Sequence, residues 1–234
     1  MAYRFVGAEA GDFLISENGI ASVPDMGTDG RAEYLIGAYK ADGPAGELSG
    51  AAYLIFSEDL VALDGADGAT DGTINVANVG SLYGGYVFYG AASSDQAGVA
   101  LTAAADADGT VSLMIGAWGA DDGGSEGVGA AYLINEADLA ALDQAYGGTN
   151  GEISLADVGA SGGYVVKGAA AIDRLGWAVA PGGDYDGDTK ADFLIGAFGR
   201  DAGGANTGTV YLLTSGDLDA LDQADSNTDG QINA

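Results

Sequence analysis

Carboxylates dominate the chemistry open to this chain, and four of them fall in one short stretch. It reads Asp184-Tyr-Asp186-Gly187-Asp188-Thr-Lys190-Ala-Asp192 and runs directly into Phe193-Leu-Ile-Gly-Ala197. The acids recur at every second residue with one wider final step, and a glycine stands among them where the backbone must turn sharply. Such a loop wraps oxygens around a hard cation. Ca²⁺ takes about six to eight oxygens at about 2.3–2.6 Å, which Asp side chains and a loop carbonyl supply. Zn²⁺ would ask for His or Cys, and the chain has neither. Without a cation the carboxylates repel one another. Aspartates and glycines also make solvated turns readily; the tight spacing and the apolar strand that follows favour the metal loop.

The elements that carry this loop recur along the chain. Tyr34-Leu-Ile-Gly-Ala38, Leu113-Met-Ile-Gly-Ala117 and Phe193-Leu-Ile-Gly-Ala197 form one family, spaced by about 79 residues. Ala52-Tyr-Leu-Ile55, Ala131-Tyr-Leu-Ile134 and Val210-Tyr-Leu-Leu213 form a second. Asp59-Leu-Val-Ala-Leu-Asp64, Asp138-Leu-Ala-Ala-Leu-Asp143 and Asp217-Leu-Asp-Ala-Leu-Asp222 form a third. Tyr3-Arg-Phe-Val-Gly7, Tyr86-Val-Phe-Tyr-Gly90 and Tyr164-Val-Val-Lys-Gly168 form a fourth. Each unit reads as a strand, an acidic loop, two further strands, a short helix with Ser57 or Ser215 as its cap, an Asp-Gly or Asn-Gly turn, and a closing Gly-Tyr-x-x-x-Gly strand. Four short strands per unit, repeated, with one helix as decoration, is the pattern of a β-propeller blade.

Composition excludes several functions. The net charge is −28 with seven basic residues, so the chain lacks the basic stripe that phosphate backbones or anionic membrane surfaces require. An apolar share of 47% argues against acidic disorder. No apolar run is long enough to span a membrane. Met1-Ala-Tyr-Arg-Phe5 shows no secretion signal. With no His and no Cys, Ser-His-Asp and Cys-His sites and the usual zinc hydrolysis are out of reach. Carboxylate pairs that could hydrolyse glycosides are plentiful, but in an Asp-rich repeat they read first as metal loops or turns, and no enzyme is expected.

The chain resembles the FG-GAP repeats of integrin alpha-subunit propellers, in their bacterial secreted form, over essentially residues 3–234. The resemblance rests on the Asp184-to-Asp192 loop, on Phe193-Leu-Ile-Gly-Ala197 and on the Gly-Tyr-x-x-x-Gly-Ala strands. It implies an all-β fold, a β-propeller whose blades have four antiparallel strands and one short helix. The expected organisation is a single domain, 1–234, with repeats at about 8–90, 91–168 and 169–234, and residues 3–7 as a strand completing the last blade. It further implies Ca²⁺ on the lower side of the blade, with Asp184, Asp186, Asp188 and Asp192 donating side chains and Lys190 its carbonyl. The chain departs from the family pattern where Tyr39, Trp118 and Phe198, not proline, follow Ala38, Ala117 and Ala197.

Two further loops align with the first. Asp25, Gly27, Asp29 and Glu33 keep its length but lack one carboxylate, which leaves Ca²⁺ binding there open. Ala104, Asp106, Asp108 and Ser112 offer two acids, which suggests a metal-free or weak loop. A second acidic pattern follows each helix, as in Asp225-Ser-Asn227-Thr-Asp229-Gly230, and resembles the front half of an EF-hand. The closing Glu is missing, so an Asp-Gly turn is the favoured reading, with Asp225, Asn227 and Asp229 as the best second ion site.

Three blades are fewer than the four to eight, roughly, of conventional propellers. The chain starts with the strand that ends a unit and finishes just before that strand would recur. A head-to-tail homodimer of six blades is therefore expected, the alternatives being a fragment of a longer array or a filament. The expected function is a Ca²⁺-binding extracellular or cell-surface adhesion module for a protein or glycan ligand, without nucleic-acid binding, membrane insertion or catalysis. Tyr39, Trp118 and Phe198 would contact the ligand or pack between blades. A self-assembling structural repeat protein and an accessory domain of a secreted hydrolase are the alternatives.

Overall fold

Alternating Tyr, Val, Ile and Phe favour extended backbone, and glycine clusters end each run after a few residues. The result is fifteen short strands and three short α-helices among the described residues. The computed structural model describes residues 2–27, 29–80, 83–122, 124–201, 207–224 and 228–234. In chain order the elements are β1 (Arg4–Val6), β2 (Ile20–Val23), β3 (Glu33–Ala38), β4 (Ala51–Ile55), α1 (Leu60–Asp64), β5 (Thr73–Asn75) and β6 (Tyr86–Tyr89). Next come β7 (Ala100–Ala105), β8 (Val111–Ala117), β9 (Ala130–Asn135), α2 (Leu139–Tyr146), β10 (Glu152–Ser154) and β11 (Tyr164–Lys167). The last are β12 (Leu175–Gly183), β13 (Asp192–Ala197), β14 (Thr209–Leu213), α3 (Leu218–Ala224) and β15 (Gln231–Asn233). None of the described helices is long and apolar enough to cross a membrane.

The repeats share one register. In the first sheet β3 pairs with β2 and β4, and β4 with β6, all antiparallel. The second sheet pairs β7, β8, β9 and β11 in the same way, and the third pairs β12, β13 and β14. Ile36 lies opposite Tyr53, Ile115 opposite Tyr132 and Ile195 opposite Tyr211. The sheets stack through apolar faces. Leu35, Leu54 and Phe88 share one buried cluster with Leu113 and Ile115, and Met114 and Leu133 share another with Phe193 and Ile195. Glycine sets how closely they stack. A Cβ on Gly37 would lie 2.0 Å from the Gly98 carbonyl oxygen, and one on Gly116 would lie 2.0 Å from that of Gly176. Only glycine admits this backbone approach.

The sheets differ from the expected four strands. Both complete sheets carry a fifth, because β10 runs parallel to β6 and β15 parallel to β11. β1 pairs with β5 in the same manner. One hydrogen bond marks the equivalence: the N–H of Arg4, Val87 and Val165 donates to the carbonyl of Gly72, Gly151 and Gly230, at 2.7, 2.8 and 2.8 Å. Each repeat thus lays a strand against the repeat before it. The turn into that strand is fixed by a buried acid at the helix end. Asp64, Asp143 and Asp222 accept the N–H of Gly72, Gly151 and Gly230, at 2.7, 3.2 and 2.8 Å. Ser57 and Ser215 do not cap the helices as expected. They open 3₁₀ turns without a side-chain cap, and their hydroxyls donate elsewhere, to Asp29 and to the Ala191 carbonyl.

Candidate metal centres

The first and third acidic loops link β2 to β3 and β12 to β13, so two adjacent antiparallel strands hold the ends of each. Their backbones are held by closely similar internal hydrogen bonds. Asp25 accepts the N–H groups of Gly27 and Gly30 at 3.0 and 3.1 Å, and Asp184 those of Gly187 and Thr189 at 2.7 and 3.1 Å. Asp29 accepts the Arg31 N–H at 2.8 Å, as Asp188 accepts that of Lys190 at 2.8 Å. Gly30 and Thr189 occupy equivalent positions with φ of 75° and 76°. For the threonine this is strained backbone, held by the loop.

Two clusters of carboxylate oxygens result. Oxygens of Asp25, Asp29 and Glu33 lie within 4.8 Å of one another, as do those of Asp184, Asp186 and Asp188. Asp186 is pushed up. The Asp188 N–H pulls its carboxyl down, but desolvation and the neighbouring Asp188, Asp192 and Asp184 carboxylates together outweigh that bond. Crowding of like charges of this kind is relieved by a bound cation.

The residue that ends each loop is held differently. Asp192 is fully buried, and its two oxygens accept the N–H groups of Tyr185 at 2.7 Å and Ser215 at 2.9 Å. Glu33, equally buried, gives Oε2 to the Ser57 N–H at 2.5 Å and leaves Oε1 without a hydrogen-bond partner. Burial raises the Glu33 pKa, and the Asp29 and Asp25 carboxylates push the same way, against the Ser57 and Met26 N–H groups; the Met26 N–H faces the carboxylate without reaching hydrogen-bond geometry to Oε1. A fully buried carboxylate oxygen with no donor is costly. Its donor-free oxygen beside two more acids fits a cation, so the residues present match Ca²⁺ chemistry.

The middle loop is a tight hairpin between β7 and β8. Asp108 accepts the Thr110 N–H at 2.9 Å, and Ser112 donates to Asn135 at 2.7 Å where the other repeats have a buried acid. Asp106 instead reaches the third loop and accepts the Ala191 N–H at 2.7 Å. Of the second acidic pattern, Asp225 and Asn227 lie outside the described residues. Asp229 bonds to the N–H and side chain of Gln231 at 3.2 and 3.1 Å, and Asp71 accepts the Thr73 N–H at 2.9 Å; both are turn geometry. Lys190 contributes the N–H bond to Asp188 noted above.

The aromatics after β3, β8 and β13 are partly exposed and partly stacked. Trp177 packs edge-on against Trp118 at 5.3 Å and against Phe198 at 4.8 Å, with the Arg174 guanidinium 5.1 Å from the rings of Trp118 and Phe198. Lys40 sits 4.1 Å over Phe13, which packs on Tyr39. Phe13, Tyr39, Trp118 and Trp177 line a cleft of about 600 Å³.

A third set of buried acids escaped the sequence reading. Asp12, Asp95 and Asp173 accept the N–H three residues earlier, at 2.8, 2.8 and 2.9 Å. Their signal was an Asp five residues after the glycine of each closing strand. Asp173 also pairs with Arg200 at 2.6 Å, whereas burial lifts Asp95 to about 6.

Among known families, the FG-GAP repeat model matches residues 175–213, which span β12, the third acidic loop, β13 and β14. The chain carries an FG-GAP repeat there. No curated protein matches the chain.

Proposed function

We propose that this chain, with its FG-GAP repeat at residues 175–213, is a Ca²⁺-binding β-propeller module that acts outside the cell by binding and not by catalysis. One observation carries the cation reading: the buried Glu33 oxygen that no donor satisfies, beside Asp25 and Asp29. Asp184, Asp186 and Asp188 make the second centre, and the family resemblance adds Asp192 and the Lys190 carbonyl to it. The ions are structural here: they neutralise crowded carboxylates and fix the loops that join neighbouring strands. The cleft of Phe13, Tyr39, Trp118 and Trp177, flanked by Lys40 and Arg174, is the surface for a protein or glycan ligand. Calorimetric titration with CaCl₂ is expected to show two saturable sites. At a hundredfold excess over Kd each site adds about 2.7 kcal/mol, which raises Tm by roughly 5–10 °C. Melting that is identical in Ca²⁺ and in chelator would overturn the reading.

A second reading, assembly of copies head to tail, is favoured by two complementary edges. Among the described residues β14 has a strand on one side only, and so does β1. In the complete sheets the corresponding strands pair with Ala52 opposite Phe88 and Ala131 opposite Val166. The same register sets Val210 opposite Phe5 of a second copy. Val210 and Leu212 are 68% and 40% exposed, whereas Ala52, Leu54, Ala131 and Leu133 at the same positions are at most 1% exposed. Two copies would supply six blades, within the usual range. Light scattering should give the mass of two chains, and Val210→Asp with Leu212→Asp should give one; a wild-type monomer at tens of micromolar sinks this reading.

A further inference from the structure

The first acidic loop has Gly27 where the third has Asp186, which in the sequence reads as a lost ligand. The space around the two positions says otherwise. A Cβ built on Gly27 would lie 2.9 Å from Oε2 of Glu58 and 3.7 Å from Oδ1 of Asp25. Glu58 follows Ser57, whose N–H holds the Glu33 carboxylate. In the third repeat the same place after Ser215 is taken by Gly216. A Cβ built on Gly216 would lie 2.4 Å from Oδ2 of Asp188 and 3.5 Å from Oδ2 of Asp186. The two positions therefore point at each other across one small volume. In the third repeat the loop fills it with the carboxylates of Asp188 and, further off, Asp186, and the facing residue is glycine; in the first the loop has Gly27 in place of Asp186 and the facing residue brings a carboxylate.

We propose that Glu58 is a ligand of the divalent cation held by Asp25, Asp29 and Glu33, returning from the start of the helix the carboxylate that Gly27 lacks. This rests on the Ca²⁺ reading above. The independent pointer to a cation remains the fully buried, donor-free Oε1 of Glu33 in the same cluster. Both loops then present four carboxylates: Asp25, Asp29, Glu33 and Glu58 in one, and Asp184, Asp186, Asp188 and Asp192 in the other. The middle repeat makes no such exchange. It has Asp106 in the loop, turned to the Ala191 N–H, and Ala137 at the place of Glu58.

The test is reciprocal exchange, read by Ca²⁺ calorimetry on the full chain with Asp186→Ala present throughout to silence the third loop. Glu58→Gly and Glu58→Gln, both at an exposed side chain, should weaken the remaining site by about tenfold or more, since ligand charge tunes such sites. Adding Gly27→Asp to Glu58→Gly should restore affinity to within a few fold of the starting protein. Unchanged affinity in both Glu58 variants overturns the proposal, as does failure of the exchange to rescue in a protein with unaltered circular dichroism. Absence of any Ca²⁺ response in the unmutated chain is a different outcome; it overturns the cation reading itself.

Discussion

The first and third acidic loops share a backbone and differ in what they ask of it. The third keeps its acids in the open, and its buried member, Asp192, takes a backbone N–H on each oxygen. Its one buried carboxylate is already satisfied by backbone amides. The first buries a longer acid, Glu33, and leaves one oxygen without a donor. Under the cation reading proposed above, this is the loop with more to gain from a bound ion. Two loops that align in sequence thus hold their buried acid differently, and the cation reading proposed above expects them to respond differently to cation loss.

The largest effect that can break this contrast is an inversion. Glu33→Gln should raise Tm in chelator by a few degrees, because a neutral amide replaces the unsatisfied carboxylate, worth about 1–3 kcal/mol. In Ca²⁺ it should melt below the wild type. Asp186→Ala should cost stability in Ca²⁺ and change little in chelator. If the two variants behave alike in both media, the loops are equivalent and the contrast fails.

Next in size is a pH effect among buried acids outside the loops. Asp173 has Arg200 beside it, while burial and then the Asp121 carboxylate outweigh the Ala92 and Ala91 N–H groups at Asp95 and lift it to about 6. A raised carboxyl contributes stability that is full below the unfolded value near 3.8 and is lost as pH rises through about 6. Asp95→Asn should thus stabilise the protein at pH 8, by about 3 kcal/mol at most, and be neutral at pH 3.5, as denaturant melts in chelator will show. A constant difference across that window would exclude Asp95 as its source.

The smallest effect sharpens the comparison from the middle repeat. Asp106→Ala removes the acceptor of the buried Ala191 N–H, next to the third loop. It should cost about 1–2 kcal/mol and weaken the third site while sparing the first. Equal weakening of both sites would show that the coupling is global.

Much of this was legible in the sequence, because the repeats speak three times. The Leu-Ile-Gly-Ala and Ala-Tyr-Leu-Ile runs placed β3, β4 and their counterparts, and the spacing of acids marked both clusters. Three things were not legible. The parallel strands β5, β10 and β15 are three residues long, too short for alternation to announce them, and their partners lie in the preceding repeat. The roles of Asp64, Asp143 and Asp222 depend on glycine N–H groups eight residues on. Glu58 looked like an ordinary residue of a helix start, because its meaning lies in the space above Gly27. The family match covers the third repeat, whose loop keeps the full series of aspartates; the first repeat spreads its carboxylates between the loop and the start of the helix.

The strand that each repeat lays against its predecessor has a consequence for how the molecule comes apart. The sequence period and the hydrogen-bonded sheet are out of step, so a cut at any repeat border removes a strand from one sheet and strands its helix on the other. Loss of one repeat exposes the edge of the next. Nearest-neighbour coupling of this kind makes unfolding propagate along the array instead of stopping at a boundary, and a single excised repeat is the least favourable fragment in which to study any of its loops.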